Sequence, residues 1–191
     1  MIMTMPKIES KRDGELLTIE KLVTRFYPMI FHLARSILDD EAEAQDAAQE
    51  TFIIADAKLS TFRGDASPKT WLYSIGLNVC RAQLRKRKRR ERLRQAWQGV
   101  QALVSRDDPP EQKTQRNERD AALWAAVDAL PEKQRLPIIL RYVHGLSTAE
   151  IGAVLEISEG TVHSRLYYAR TKLQGVLRRG TVFCDREGGL A

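Results

Sequence analysis

Seven acids and no Lys or Arg occupy the stretch from Asp39 to Asp56: Asp39, Asp40, Glu41, Glu43, Asp46, Glu50 and Asp56. Asp39, Glu43, Asp46 and Glu50 recur at i, i+4, i+7 and i+11, so on a helix they form one acidic stripe. Such a stripe repels DNA and suits a basic protein surface, the bland alternative being a solvated helix face. The opposite block lies further along, where Arg85, Lys86, Arg87, Lys88, Arg89, Arg90, Arg92 and Arg94 stand with one acid, Glu91. Cations at nearly every position wrap right round a helix, which fits phosphates and not an amphipathic membrane face. Just upstream, Phe62, Trp71 and Tyr73 surround a Gly64-Asp65 loop. Rings beside a cationic groove are what single-stranded nucleic acid requires, because every base has a stackable face. Arg63, Asp65 and Ser67 supply polar groups that could line a pocket for a flipped base. Core packing is the competing reading for Phe62 and Trp71.

A third constellation follows Ser158. On a helix Val162, Leu166, Ala169 and Leu173 face one way, while Gly160, Ser164, Tyr167 and Thr171 face the other, flanked by His163 and Tyr168. A polar, aromatic outer face following a tight turn is the geometry that enters a major groove. Arg165 and Arg170 add capacity for phosphates. A plain helical bundle with a solvated face is the alternative, but two adjacent tyrosines are costly to expose for no purpose. Enzymatic chemistry has little support. His32, His144 and His163 lie far apart with no metal-ligand spacing, and no nucleophile–base pair is apparent. No metal and no cofactor are expected.

The elements that must position these groups read as helices throughout. Leu22, Phe26, Met29, Ile30, Leu33 and Ile37 give a first helix over 16–38, with Pro28 a kink or break. Ala44, Ala47, Ala48, Thr51, Phe52 and Ala55 form the buried stripe of a second. Ser67 caps a third that starts at Pro68 and runs through Trp71, Leu72, Ile75 and Val79 into the basic block. Pro131 reads as the first-turn proline of a helix carrying Leu136, Ile139, Leu140 and Val143, closed by Gly145 and bent at Pro137. Ser147 and Glu150 make a capping box for a short helix with Ile151, Val154 and Leu155 inward and Gly152 permitting close approach. Glu156-Ile157-Ser158 is the turn, and Ser158 caps the helix after it. With no alternating strand pattern of useful length, the fold should be all-α, two small helical domains of which the second is a helix-turn-helix.

The chain has 191 residues, which is room for one ordinary domain or two small ones. Pro109-Pro110 and the polar block 107–120 read as a linker, giving an N-terminal domain at 14–94, linker 95–120, C-terminal domain 121–178 and tail 179–191. A hydrophobic content of 43% with 29% charged residues is that of a globular protein. No apolar run spans a membrane, and residues 1–15 lack the apolar core of a secretory signal. A cytoplasmic location with Cys80 and Cys184 reduced is therefore expected. The net charge of +6 is a residue of cancellation, hiding one surface suited to protein and one suited to DNA.

Two motif blocks carry a resemblance. Asp46-Ala47-Ala48-Gln49-Glu50-Thr51-Phe52, Phe62-Arg63-Gly64-Asp65-Ala66-Ser67 and Thr70-Trp71-Leu72-Tyr73-Ser74-Ile75 with Asn78-Val79 resemble region 2 of the extracytoplasmic-function sigma factors. Leu130-Pro131-Glu132, Leu140-Arg141-Tyr142, Gly145-Leu146-Ser147, Glu150-Ile151 and the run from Gly160 to Arg170 resemble region 4. The resemblance implies a promoter-specificity subunit with no catalysis of its own. Asp46, Gln49, Glu50 and Phe52 would dock on core RNA polymerase at its clamp helices. Phe62, Arg63, Gly64, Asp65 and Ser67 would take a flipped base of the promoter −10 element, with Trp71, Tyr73, Asn78 and Arg81 holding the melted strand. Arg85, Lys86, Arg87 and Lys88 would bind upstream phosphates. Ser158, Thr161, His163, Ser164, Arg165, Tyr167 and Tyr168 would read the −35 element. An anti-sigma factor covering both domains is the implied regulator. A helix-turn-helix regulator that binds DNA independently of polymerase is the alternative. The chain departs from the family pattern at Ser74, Pro137, Glu156 and His163.

Overall fold

A computed structural model of the chain describes residues 11–12, 15–101 and 118–184, with side chains described over 17–94 and 123–175. Most of the expected linker and the end of the tail fall outside the described residues. The chain divides into two compact units, Met1–Ser105 and Arg106–Ala191. Among the described residues seven α-helices carry the fold, which is all-α as the sequence predicts; the helix over Glu118–Asp128 is one more than the sequence pattern marks. The only strands among the described residues are β1 (Lys11–Arg12) and β2 (Glu15–Leu16), paired antiparallel with Lys11 opposite Leu16.

The first unit is built on α1 (Ile19–Leu38), α2 (Glu41–Leu59) and α3 (Pro68–Gln101), each packed on the other two. Helix α1 starts at Thr18, whose hydroxyl accepts from the Lys21 N–H. It runs unbroken through Pro28, so the expected break is absent; the ring of Pro28 is exposed rather than wedged between helices. Asp39 closes α1 in the left-handed conformation at φ 60°, and Asp40 caps α2 by accepting the Glu43 N–H at 2.8 Å. Buried on α2 are Ala44, Ala47, Ala48, Thr51, Phe52, Ala55 and Leu59, the small residues letting α1 and α3 approach closely. Gly76 of α3 fits the same tight space, since a Cβ there would meet Leu33, Ile30 and Thr51 at 3.4–3.5 Å. Leu33, Leu72 and Leu77 are fully buried, each contributing roughly 1.5–3 kcal/mol by leaving water. Cys80 packs in this core, where burial, with a smaller push from Glu50, drives its thiol up to about 12. The thiolate needed for redox chemistry is therefore suppressed.

Helix α3 opens as its sequence dictates. The Ser67 hydroxyl accepts the Thr70 N–H at 3.1 Å, and Pro68, with no N–H to lose, sits in the first turn. The helix continues through the whole basic block.

In the second unit α4 (Glu118–Asp128), α5 (Glu132–Ile138) and α6 (Thr148–Leu155) surround α7 (Glu159–Cys184). Pro131 stands at the N-cap of α5 rather than inside its first turn. Two residues after Pro137 the helix widens into a π-turn over Ile139–Val143, closed by the His144 N–H bonding the Ile139 carbonyl. Gly145 then turns at φ 67°. The capping box is present, with the Ser147 hydroxyl accepting from Glu150 and the Glu150 carboxylate accepting the Ser147 N–H at 2.8 Å. Glu156 holds the turn at φ 55° and ψ 45°, the left-handed conformation that glycine adopts more cheaply. The Ser158 hydroxyl accepts the Thr161 N–H at 3.3 Å and caps α7. Val162, Leu166 and Ala169 are buried, while Leu173 is half-buried at the edge of an apolar cavity of about 410 Å³.

Candidate functional site

Helix α2 splits its residues by period. Its small residues face the core, so Asp46, Gln49 and Glu50 are left exposed together on the opposite side. Phe52 does not join them. It is 6% exposed and stacks on Tyr27 with ring centroids 6.0 Å apart, so it holds α2 in place instead of meeting a partner. The motif carried the residue, but the helical period turns it inward.

The loop before α3 holds Gly64 buried at φ 74°, with Arg63, Asp65 and Ser67 exposed around it. Phe62 and Trp71 are both half-buried and lie against each other, centroids 4.8 Å apart at 37°. Neither is simply core, and together they present one aromatic edge beside the loop. Tyr73 is different. It is 2% exposed, so its expected contact with a melted strand is not available; it belongs to the core, with the Lys69 ammonium 5.9 Å from its ring. Asn78 is exposed and Arg81 half-buried. At 100° per residue Trp71, Asn78 and Arg85 fall on one side of α3, with Arg81 and Lys88 adjoining.

The basic block therefore has two sides. Lys86, Arg87 and Arg90 point the other way and share a groove with Glu43, Asp46 and Glu50 of α2. Arg87 donates to the Leu38 carbonyl at 3.4 Å and pairs with Glu43 at 3.6 Å. A cation at the C-terminus of α1 meets the negative end of that helix dipole. Arg87 thus ties all three helices together, and one side of the basic block meets the acidic stripe along this groove while its other side, with Arg85 and Lys88, lies apart.

On α7 Gly160, His163, Ser164, Tyr167, Tyr168 and Thr171 are all exposed and form the face expected from the sequence. Tyr167 and Tyr168 are about 60% exposed and meet edge to face at 5.6 Å. Thr161 and Arg165 are half-buried. The Ser164 hydroxyl donates back to the Gly160 carbonyl at 2.9 Å, leaving its lone pairs for a donor. Ser158 is spent on the cap. Glu159, which the sequence did not single out, accepts a hydrogen bond from Thr148 of α6 and lies 3.8 Å from the His163 ring. It pins the first helix of the motif to the second.

A profile of sigma-70 region 2 matches residues 22–90, and one of sigma-70 region 4 matches residues 120–173. RNA polymerase sigma-H factor of Pseudomonas aeruginosa is 33% identical over 178 residues, covering 90% of this chain and 92% of that protein. The chain belongs to the ECF sigma factors. Among the relatives bearing that name, SigW of Bacillus subtilis is 30% identical over 183 residues, covering 93% of this chain and 98% of its own length. Solved sigma-factor structures are similar too. The sigma factor RpoE in complex with the anti-sigma factor NepR from Bartonella quintana has 28% identity and a TM-score of 0.62 over 83% of this chain and 96% of that one. CnrH in complex with the cytosolic domain of CnrY has 27% identity and a TM-score of 0.62, over 84% and 88%. In this ECF sigma factor the region 2 match falls on the three-helix unit and the region 4 match on the helix-turn-helix. Region 2 is what an independent helix-turn-helix regulator lacks, so that alternative falls. Among the described residues no helix is long and apolar enough to cross a membrane.

Proposed function

We propose that this sigma factor works in the cytoplasm with two DNA-reading surfaces and one polymerase-docking face. The observation that carries this is the pairing, within one chain, of the exposed acidic face on α2 with the exposed polar–aromatic face on α7. Asp46, Gln49 and Glu50 dock on core RNA polymerase. The Phe62–Trp71 edge and the loop from Arg63 to Ser67 receive a base of the −10 element. Asn78, Arg81, Arg85 and Lys88 follow the adjoining strands, while Lys86 and Arg87 serve the groove with α2. Thr161, His163, Ser164, Arg165, Tyr167 and Tyr168 read the −35 element, with Ser158 setting the start of their helix. The domains run over 14–94 and 121–178, and no catalytic step is assigned to either. An anti-sigma factor is the fitting regulator, since two similar proteins were solved bound to theirs or to a partner's cytosolic domain.

Base readers and phosphate binders give different signatures. Tyr167→Ala or Ser164→Ala in the holoenzyme is expected to reduce discrimination between matched and mismatched −35 elements by roughly 1–3 kcal/mol. Arg165→Ala is expected to weaken binding by a similar factor on every sequence and to lower the salt slope by about one. Competition binding over a −35 library at two salt concentrations checks both. Identical effects of all three variants on every sequence would contradict the assignment.

A further inference from the structure

The most exposed large apolar side chain among the described residues is Ile53, at 70%. It sits on the outward face of α2, at the border of the acidic stripe. At 100° per residue it points about 20° from Asp46, with Ala57 about 20° beyond Asp46 and with Gln49 and Glu50 flanking on either side. Ala42 and Ala57, both exposed, leave the ends of this face without bulk. The neighbouring Phe52 is committed to the core, so the outward apolar function of the helix falls to Ile53 alone.

We infer that Ile53 is the apolar anchor of the docking face, entering a slot between basic side chains on a helical surface of core RNA polymerase. The partner's chemistry follows from this chain's own residues. Asp39 to Asp56 contains no Lys or Arg, so the complementary surface is basic. The small residues at either end admit a second helix at close range. A buried apolar residue ringed by polar groups that exclude water is the arrangement that concentrates binding energy, whereas the ring itself steers association. The inference rests on the reading of α2 as the docking face.

The test uses the full chain titrated with core RNA polymerase. Ile53→Ala is expected to weaken binding roughly 10- to 30-fold, through faster dissociation and with an unchanged salt slope. Ile53→Asp separates the two contributions. It adds an acid facing a basic partner, so a purely electrostatic face would hold or gain affinity, while loss of an anchor weakens binding at least as much as alanine does. Both variants change an exposed side chain and should melt with the parent. If Ile53→Ala binds within twofold of the parent while Asp46→Ala/Glu50→Ala binds poorly, the anchor is overturned and the docking face stands. If the acidic double variant also binds like the parent, the docking face itself is wrong.

Discussion

Changing Asp46 and Glu50 together to lysine is expected to weaken binding to core RNA polymerase at least ~1,000-fold while the chain stays folded. Both side chains are exposed, and the buried face of α2 is made by Ala44, Ala47, Ala48, Thr51, Phe52 and Ala55, so neither substitution touches the core. The size of the effect comes from the sign change. Removing two attractions and creating two like-charge contacts with a basic surface costs several kcal/mol, at about 1.4 kcal/mol per tenfold. A smaller internal effect accompanies it, because Asp46 and Glu50 also border Lys86, Arg87 and Arg90. Between exposed charges that repulsion amounts to about 1 kcal/mol or less. Asp46→Asn/Glu50→Gln supplies the neutral comparison and should fall between the parent and the lysine pair. Thermal melting of the free chain together with titration of polymerase separates folding from docking. Unchanged affinity in the lysine pair would mean that the acidic face does not touch polymerase.

The second large effect lies in the helix-turn-helix. Gly152→Ala should destabilise the second unit, although alanine is the better helix former by nearly 1 kcal/mol. A Cβ at Gly152 would stand 2.9 Å from the Ile157 carbonyl oxygen, closer than such contacts tolerate. The obstacle is backbone, and it is held there, since the Ile157 N–H bonds the Gly152 carbonyl at 3.0 Å. Relief requires moving the turn that sets α6 against α7. Gly152→Val adds two more methyl groups against Val162, already 3.9 Å from a Cβ. The expected loss is about 1–3 kcal/mol for alanine and more for valine. The readout is a lowered unfolding transition of the second unit with loss of −35 binding, while polymerase docking through the first unit survives. A Gly152→Ala chain as stable as the parent would mean that the turn yields easily.

Much of this was legible in the sequence because it depends on local rules. The buried stripe of α2 follows from helical period, the Ser67 and Ser147 caps from hydroxyls one residue before their helices, and the outward face of α7 from the spacing of Gly160, Ser164 and Tyr167. What escaped depends on which neighbour fills a space. A motif match assigned Phe52 and Tyr73 to the site, but a match carries residue type and not burial: the period of α2 already places Phe52 in the buried stripe, and Tyr73 is core as well. Charge counting separated the acidic and basic blocks, yet α2 and α3 pack side by side and bring Glu43 to Arg87. Pro28 was expected to interrupt α1 because a proline removes one helical hydrogen bond, but an exposed proline leaves the inner face of the helix intact. Pro137 is buried, and there the helix does change, into the π-turn at Ile139–Val143. Ile53 was hidden inside an ordinary apolar run; only its angle on the helical wheel, 20° or so from Asp46, marks it as outward.

Whether this chain gives core RNA polymerase a promoter preference is tested by transcription from genomic DNA by core polymerase alone and with the purified, folded chain added, with every RNA 5′ end sequenced. We expect a discrete set of new start sites whose upstream DNA shares one −35 and one −10 element at constant spacing, lost when Asp46 and Glu50 are lysine. No new start site from folded chain free of any anti-sigma factor, with polymerase active on a control sigma factor, would contradict it.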